Sequence, residues 1–187
     1  MDAEKLHKMI SSLEQGIDAC RQKKLQIPPL ILLYSAIEIA GSLDNENPAA
    51  GSREIFVSWV NKYLLPVRML HCNAADLYGA RCGLVHTALP SSDLSKQGKA
   101  RQVGYAWDDA SADAMQNLVQ QIGRTNELVF VPFDELYDGW RKGVARFLQE
   151  LDGDPPRMSR VLQRASRFFD YLPLDKHGRA LFPEVRF

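Results

Sequence analysis

The sequence predicts a mainly α-helical domain with a small two-stranded β element in its C-terminal half. Apolar residues recur at three- and four-residue intervals through the first ninety positions, the signature of amphipathic helices. Two short segments rich in β-branched and aromatic residues, 101–107 and 127–131, flank a further helical stretch. A length of 187 residues corresponds to about one domain.

Each element has its own signal. Asp2 can cap a helix from Ala3 to about Lys24, on which Leu6, Met9, Ile10, Leu13, Ile17 and Cys20 form one apolar stripe. Pro28 and Pro29 suit a first helical turn, and Leu30, Leu33, Tyr34, Ile37 and Ala40 continue a helix to about Leu43 that is apolar nearly all round, hence buried. The turn-rich run Asp44 to Gly51 breaks the chain before Ser52 caps a third helix, carrying Ile55, Phe56, Trp59, Val60, Tyr63 and Leu64 and ending at Pro66. Asn73 caps a fourth, with Leu77, Ala80, Leu84 and Ala88 facing inward before Pro90. Residues 91–98 read as a polar loop, and Val103, Tyr105 and Trp107 mark one side of the first strand. Between the strands, Ala114, Met115, Leu118, Val119 and Ile122 have helical spacing; whether the strands pair is left open. Helices follow from about Asp134 to Leu151 and from about Arg157 to Tyr171, separated by DGDPP, and the tail after Pro173 reads as extended. No internal repeat or linker divides the chain, so residues 1–187 form one domain, with a helical core at about 3–90 and a strand-and-helix extension at about 91–187.

Composition narrows the function classes. With 45% hydrophobic and 25% charged residues the chain is an ordinary globular protein, neither disordered nor fibrous. Lys plus Arg and Asp plus Glu are both 23, so any nucleic-acid or membrane role must come from a local patch. The longest largely apolar stretch, Ile27 to Leu33, is interrupted by Pro28 and Pro29 and is far below the ~20 residues of a bilayer span, and MDAEKLHKMI lacks a secretory h-region, so the expectation is a cytoplasmic protein without membrane contact. Cys20, Cys72 and Cys82 form an odd set without CxxC spacing, which points to reduced thiols rather than disulfides or zinc. No Gly-rich phosphate loop, HExxH or GxSxG occurs, and no cofactor or metal is expected.

The segment DLYGARCGLVHTAL, Asp76 to Leu89 on the fourth helix, carries the functional signal. Arg81 and His86 are five residues apart, roughly 140° around a helix, so they do not share a stripe, although a long Arg side chain can swing toward the imidazole. Arg81-Cys-Gly-Leu-Val-His86 resembles the signature of the HEPN superfamily, helical domains in which Arg is followed by four to six residues and then His. The order of helices over residues 3–90 is similar too. Two features depart from the family pattern: Ala88 stands where an aromatic often follows the His, and the chain lacks a strong basic excess.

The resemblance implies a HEPN-like helical bundle and a homodimer whose two Arg/His pairs line one cleft, acting as a metal-independent endoribonuclease in a toxin or defence setting. RNA and a protein antitoxin are the partners it brings in. With a pKa near 6.5, His86 can take the proton of a ribose 2′-hydroxyl or return one to the leaving 5′-oxygen, and Arg81 can hold the phosphate as it gains charge. Products would carry 2′,3′-cyclic phosphate and 5′-hydroxyl ends. The alternative is a non-catalytic HEPN-like module binding a nucleotide or a protein through the same helix. A third class is a helical interaction protein unrelated to the family.

Glu38 is the sole ionised side chain between Pro28 and Leu43, so its carboxylate needs a partner, for which Arg81 is the candidate. In the family pattern a polar residue of this helix supports the Arg/His pair; Glu38 matches by location, with Ser35 and Ser42 as lesser candidates. A pair that merely fixes helix packing fits Glu38 equally, and a surface His near a helix C-terminus fits His86. Gly79 and Gly83 allow close packing, by a second copy or by this chain. A Cys82/His86 nucleophilic pair and a zinc site including His71 and Cys72 are weakly supported, for want of in-line geometry and of recognised spacing. Arg157, Arg160, Arg164 and Arg167 project from one face of the last helix, a solvated face or a phosphate-tracking stripe, and from Gly139 onward ten Lys/Arg face six Asp/Glu. Tyr105, Trp107, Phe130, Phe133 and Trp140 are expected to pack rather than stack on bases.

Overall fold

The computed structural model describes residues 3–87, 89, 91–108 and 110–166, with the side chains of His86 and Thr87 outside that description. The elements are α1 (Ala3–Gln22), α2 (Ile27–Asp44), α3 (Ser52–Trp59) continued by a π-helical turn (Val60–Leu64), α4 (Ala74–Thr87), α5 (Asp93–Lys96), β1 (Gln102–Ala106), α6 (Ala112–Gln121), β2 (Leu128–Pro132), α7 (Phe133–Asp152) and α8 (Pro155–Ala165). The protein is thus mainly helical with a small sheet. The extended tail expected after Pro173 and the end of the last helix lie outside the described residues.

Helix α2 is the axis of the core. Leu33, Tyr34, Ala36, Ile37 and Leu43 are at most 1% exposed, and α1, α3, α4, α7 and α8 all contact it. Its mean hydropathy of 1.3 over eighteen residues makes it long and apolar enough to cross a membrane, a length that the seven-residue stretch Ile27 to Leu33 understated because Pro28 and Pro29 sit harmlessly in the first turn. Half of that window is buried inside the fold.

Helix α7 crosses the π-helical turn, and Gly143 permits the approach: a Cβ there would lie 3.0 Å from the Tyr63 carbonyl oxygen. The aromatic residues of this region pack together. Tyr63 meets Phe147 edge-on at 5.6 Å, and Trp107 stacks on Phe133 at 4.3 Å.

The two strands do pair. β1 and β2 run parallel, with Gln102 opposite Leu128 through Ala106 opposite Pro132, joined by α6 in a β–α–β unit. Val103, Val129 and Val131 face the core. On α6, Val119 is buried whereas Leu118, and Ile122 just past the helix end, stay more than half exposed, so the apolar spacing read there is wider than the face actually covered. Residues 91–98, read as a loop, contain the short helix α5. Ser92 and Ser95 form a reciprocal capping box that starts it, a polar signal easily taken for loop composition.

Candidate functional site

Helix α4 is pinned at its N-terminus by side chains. Asn73 Oδ1 accepts from the Asp76 amide at 2.9 Å while Asp76 Oδ2 accepts from the Asn73 amide at 3.0 Å, satisfying two of the first-turn N–H groups. Asp76 is also the anchor for the chain entering β1, because it accepts from Arg101 at both backbone and side chain. Sequence reasoning missed this pair; the sole signal was an acidic residue in the first turn of a helix otherwise buried there.

One and a half turns further on, Arg81 reaches across to α2. Its Nη2 donates to Glu38 Oε2 at 2.5 Å and its Nε to the same oxygen at 3.2 Å. The Arg81 side chain is 14% exposed and that of Glu38 26%, so the pair sits at the edge of the α2–α4 contact, partly shielded from water. Burial works against the guanidinium charge, but the hydrogen bond and charge of Glu38 outweigh it and hold Arg81 above its ordinary pKa. The expected Glu38–Arg81 partnership is therefore present. Ser35 and Ser42 lie half-buried on α2 on either side of Glu38.

His86 occupies the last turn of α4. Five residues from Arg81, its backbone position is roughly 140° round the helix. Its side chain lies outside the described residues.

Two neighbours complete the Arg81 flank. Tyr78 is half-buried one turn before Arg81 with its ring against Phe56 of α3, centroids 5.5 Å apart. Cys82, the residue after Arg81 and one turn beyond Tyr78, is also half-buried. Burial first, and then the neighbouring thiol, raise the Tyr78 pKa.

The Gly79 and Gly83 flank is filled by this chain itself. A Cβ on Gly79 would lie 3.0 Å from Ala100 Cβ, and one on Gly83 would lie 2.7 Å from the Leu89 carbonyl oxygen and 2.9 Å from that of Ser91. The close approach these glycines permit is thus used by Leu89, Ser91, Ser92 and Ala100 of this chain.

The α8 arginines are engaged within the fold rather than set out as an open stripe. Arg157, 11% exposed, bonds Asp44 through Nε at 3.0 Å, contacts Glu150 at 3.3 Å and Tyr63, and lies over the Phe147 ring. Arg164 donates to the carbonyls of Leu43, at 3.0 Å, and Asn45. Arg160 pairs with Glu46 on the surface. The C-terminal carbonyls of α2 and the acidic residues around them form a negative end that attracts these cations. Arg167 lies outside the described residues.

The remaining candidates are placed as follows. Cys72 is buried, and burial pushes its thiol up to about 12. His71 Nε2 lies 3.0 Å from Asp113 on the surface, beside a cavity of about 350 Å³ at the carboxyl ends of β1 and β2. A larger cavity of about 430 Å³ lies between α2, α3 and α8, with Asp44, Lys62 and Arg157 in its wall. Neither Glu38 nor Arg81 lines these two cavities. Among the described residues no group of three or more His, Cys, Asp and Glu could hold a metal ion. Compared with family models, curated proteins and solved structures, the chain matches none.

Proposed function

We propose that this protein is a HEPN-like, metal-independent endoribonuclease, acting in the cytoplasm as a homodimer through α4 with Arg81 and His86 at its centre. The observation that supports this reading is the ion pair between Glu38 of α2 and Arg81 of α4. It joins the two helices that the HEPN resemblance makes functional and keeps a permanent cation at their seam.

In this reaction His86 takes the proton from a ribose 2′-hydroxyl, the 2′-oxygen bonds to phosphorus, and the bond from phosphorus to the 5′-oxygen breaks. A protonated His86 gives its proton to that leaving oxygen, so two copies in one cleft supply base and acid together. Arg81 stabilises the charge gathering on the pentacoordinate phosphorus. Glu38 orients the guanidinium. Each residue deals with charge and protons at atoms of the RNA itself, so the route runs without a bound metal. An RNA-cleaving toxin held in check by a protein antitoxin is the setting this activity suits.

The test of this chemistry is the product. Cleavage of an oligoribonucleotide is expected to leave 2′,3′-cyclic phosphate and 5′-hydroxyl ends, and a single 2′-deoxy substitution at the cut site is expected to abolish the cut there. Cleavage that survives the 2′-deoxy substitution, or leaves 5′-phosphate ends, overturns the mechanism.

A second reading has its own observation. Arg81 already has its charge matched by Glu38, and the Gly79/Gly83 flank of α4 is already covered by Leu89, Ser91, Ser92 and Ala100. Both suit a non-catalytic module of the same architecture that binds a nucleotide or a protein partner, and nucleotide binding without cleavage is its expected result.

A further inference from the structure

β1 ends at Ala106 and β2 at Pro132, opposite each other in the parallel pair, and the chain passes from there into α6 after a short turn and into α7 directly. Parallel strands leave a crevice outside their carboxyl ends, where open α/β sheets hold their ligands. Here the crevice is a cavity of about 350 Å³, within the size range of small-molecule sites. His71, from the segment that leads into α4, is in its wall and lies 3.0 Å from Asp113 in the first turn of α6.

The wall decides what fits. Arg21 engages Asp134, and Arg68 engages Glu135 at 2.9 Å, so these two carboxylates already have their charges matched. Asp113 has one oxygen on His71, and Asp108 has no hydrogen bond or ion pair among the described residues, so both keep acceptor capacity. The positive ends of α6 and α7 border the same cavity, and Pro132 supplies no side-chain cap to the first amides of α7. A phosphate would meet the charges of Asp108 and Asp113, and a cation would meet two helix N-termini. The ligand that suits both is neutral and carries hydroxyl groups, which donate to carboxylates and accept from amides. Met69, 92% exposed, Leu70 and Pro132 add an apolar side for a flat uncharged ring.

We propose that this cavity binds an uncharged nucleoside, its ribose 2′- and 3′-hydroxyls donating to Asp113 and Asp108 and its base lying on Met69, Leu70 and Pro132. Arg81 is not in the wall, and the site is independent of the ribonuclease reading.

The experiment is isothermal titration calorimetry with adenosine and uridine on wild type, Asp108→Asn, Asp113→Asn and Arg81→Ala, with thermal unfolding of each variant as the control. The 2′,3′-dideoxynucleosides, the 5′-monophosphates and 1,4-diaminobutane are the comparison ligands. Wild type is expected to bind at least one of the two nucleosides. Its dideoxy form is expected to bind about tenfold more weakly, the scale of a hydrogen bond to a charged group. Its monophosphate is expected to bind more weakly too, by a gap that narrows as salt rises. Asp108 has a left-handed backbone, φ 51°, which Asn adopts as readily as Asp, so Asp108→Asn is expected to unfold as wild type does while losing about tenfold in affinity. Asp113→Asn is expected to lose as much, and Arg81→Ala to bind as wild type does. The inference is overturned if neither nucleoside binds, if the dideoxy forms bind equally well, if a monophosphate or the diamine binds more tightly, or if both Asn variants keep full affinity. Loss of binding in Arg81→Ala with Asp108→Asn unaffected overturns it as well, because the nucleoside then sits on α4. None of these results touches the RNA cleavage by which the ribonuclease reading is judged.

Discussion

Asp76 and Arg101 tie α4 to the sheet: the carboxylate, 2% exposed, receives the Arg101 amide at 2.7 Å, its Nη2 at 2.7 Å and its Nε at 3.1 Å. The same carboxylate caps α4, so one residue sets both the start of the helix that carries Arg81 and the entry of β1. Replacing Asp76 by Ala leaves the guanidinium without its carboxylate and two backbone amides without their acceptor. A loss of about 3 kcal/mol is expected, at the lower end for breaking a buried pair because Arg101 keeps some access to water. Urea denaturation measures it; a loss below about 1 kcal/mol would mean that the pair is not what joins the two halves.

Gly104 is held open for an aromatic ring. A Cβ at this position would lie 2.7 Å from Phe130 Cδ1 on the neighbouring strand, so the ring lies directly across the glycine. Gly104→Ala is expected to cost about 1–3 kcal/mol through overpacking. In the double variant with Phe130→Ala the two costs are expected to be clearly less than additive, as for residues in direct contact. Additive costs would place the strain elsewhere.

Helices announced themselves in the sequence by an apolar stripe, as with α1 and α7, or by a capping residue at the start, as with Asn73 before α4. The Glu38–Arg81 pair was legible for a related reason: a lone carboxylate in an apolar helix must be matched, and Arg81 lay on the helix of the motif. The parallel pairing of β1 and β2 was not legible, because five-residue strands carry no sign of their partner. The engagement of Arg157 and Arg164 was hidden as well. A stripe of arginines reads alike whether it faces water or the C-terminal end of another helix, and what settles it is the tertiary contact of α8 with α2.

The three thiols are expected to separate by reactivity. Burial pushes Cys72 up to about 12, while Cys20 and Cys82 are partly exposed. Alkylation of the native protein at pH 8 is therefore expected to label Cys20 and Cys82 and to spare Cys72 until denaturant is added. Fast labelling of Cys72 in the native state would contradict the packing at the N-terminus of α4.

Acid should loosen α8 by way of Glu150. Burial tends to raise its carboxyl pKa, but hydrogen bonds from Tyr63, Arg157 and Arg146 outweigh burial and hold it below the usual value. A carboxylate with a depressed folded pKa contributes its full stability above the unfolded value of about 4.3 and loses it as pH falls through the lower folded one. Wild type is accordingly expected to be more stable than Glu150→Gln at pH 7, with the difference shrinking below about pH 4. A difference independent of pH would mean that the carboxylate charge is not what matters.

The most direct measurement is cleavage of a mixed RNA by purified wild type, Arg81→Ala and His86→Ala in the presence of EDTA, each variant first shown to be folded. The account predicts that wild type cuts and that both variants lose at least a hundredfold in rate, the scale of a lost general base or a lost transition-state cation. An inert wild type, or variants that cut as fast as wild type, would contradict it and leave Arg81 and Glu38 as a structural pair.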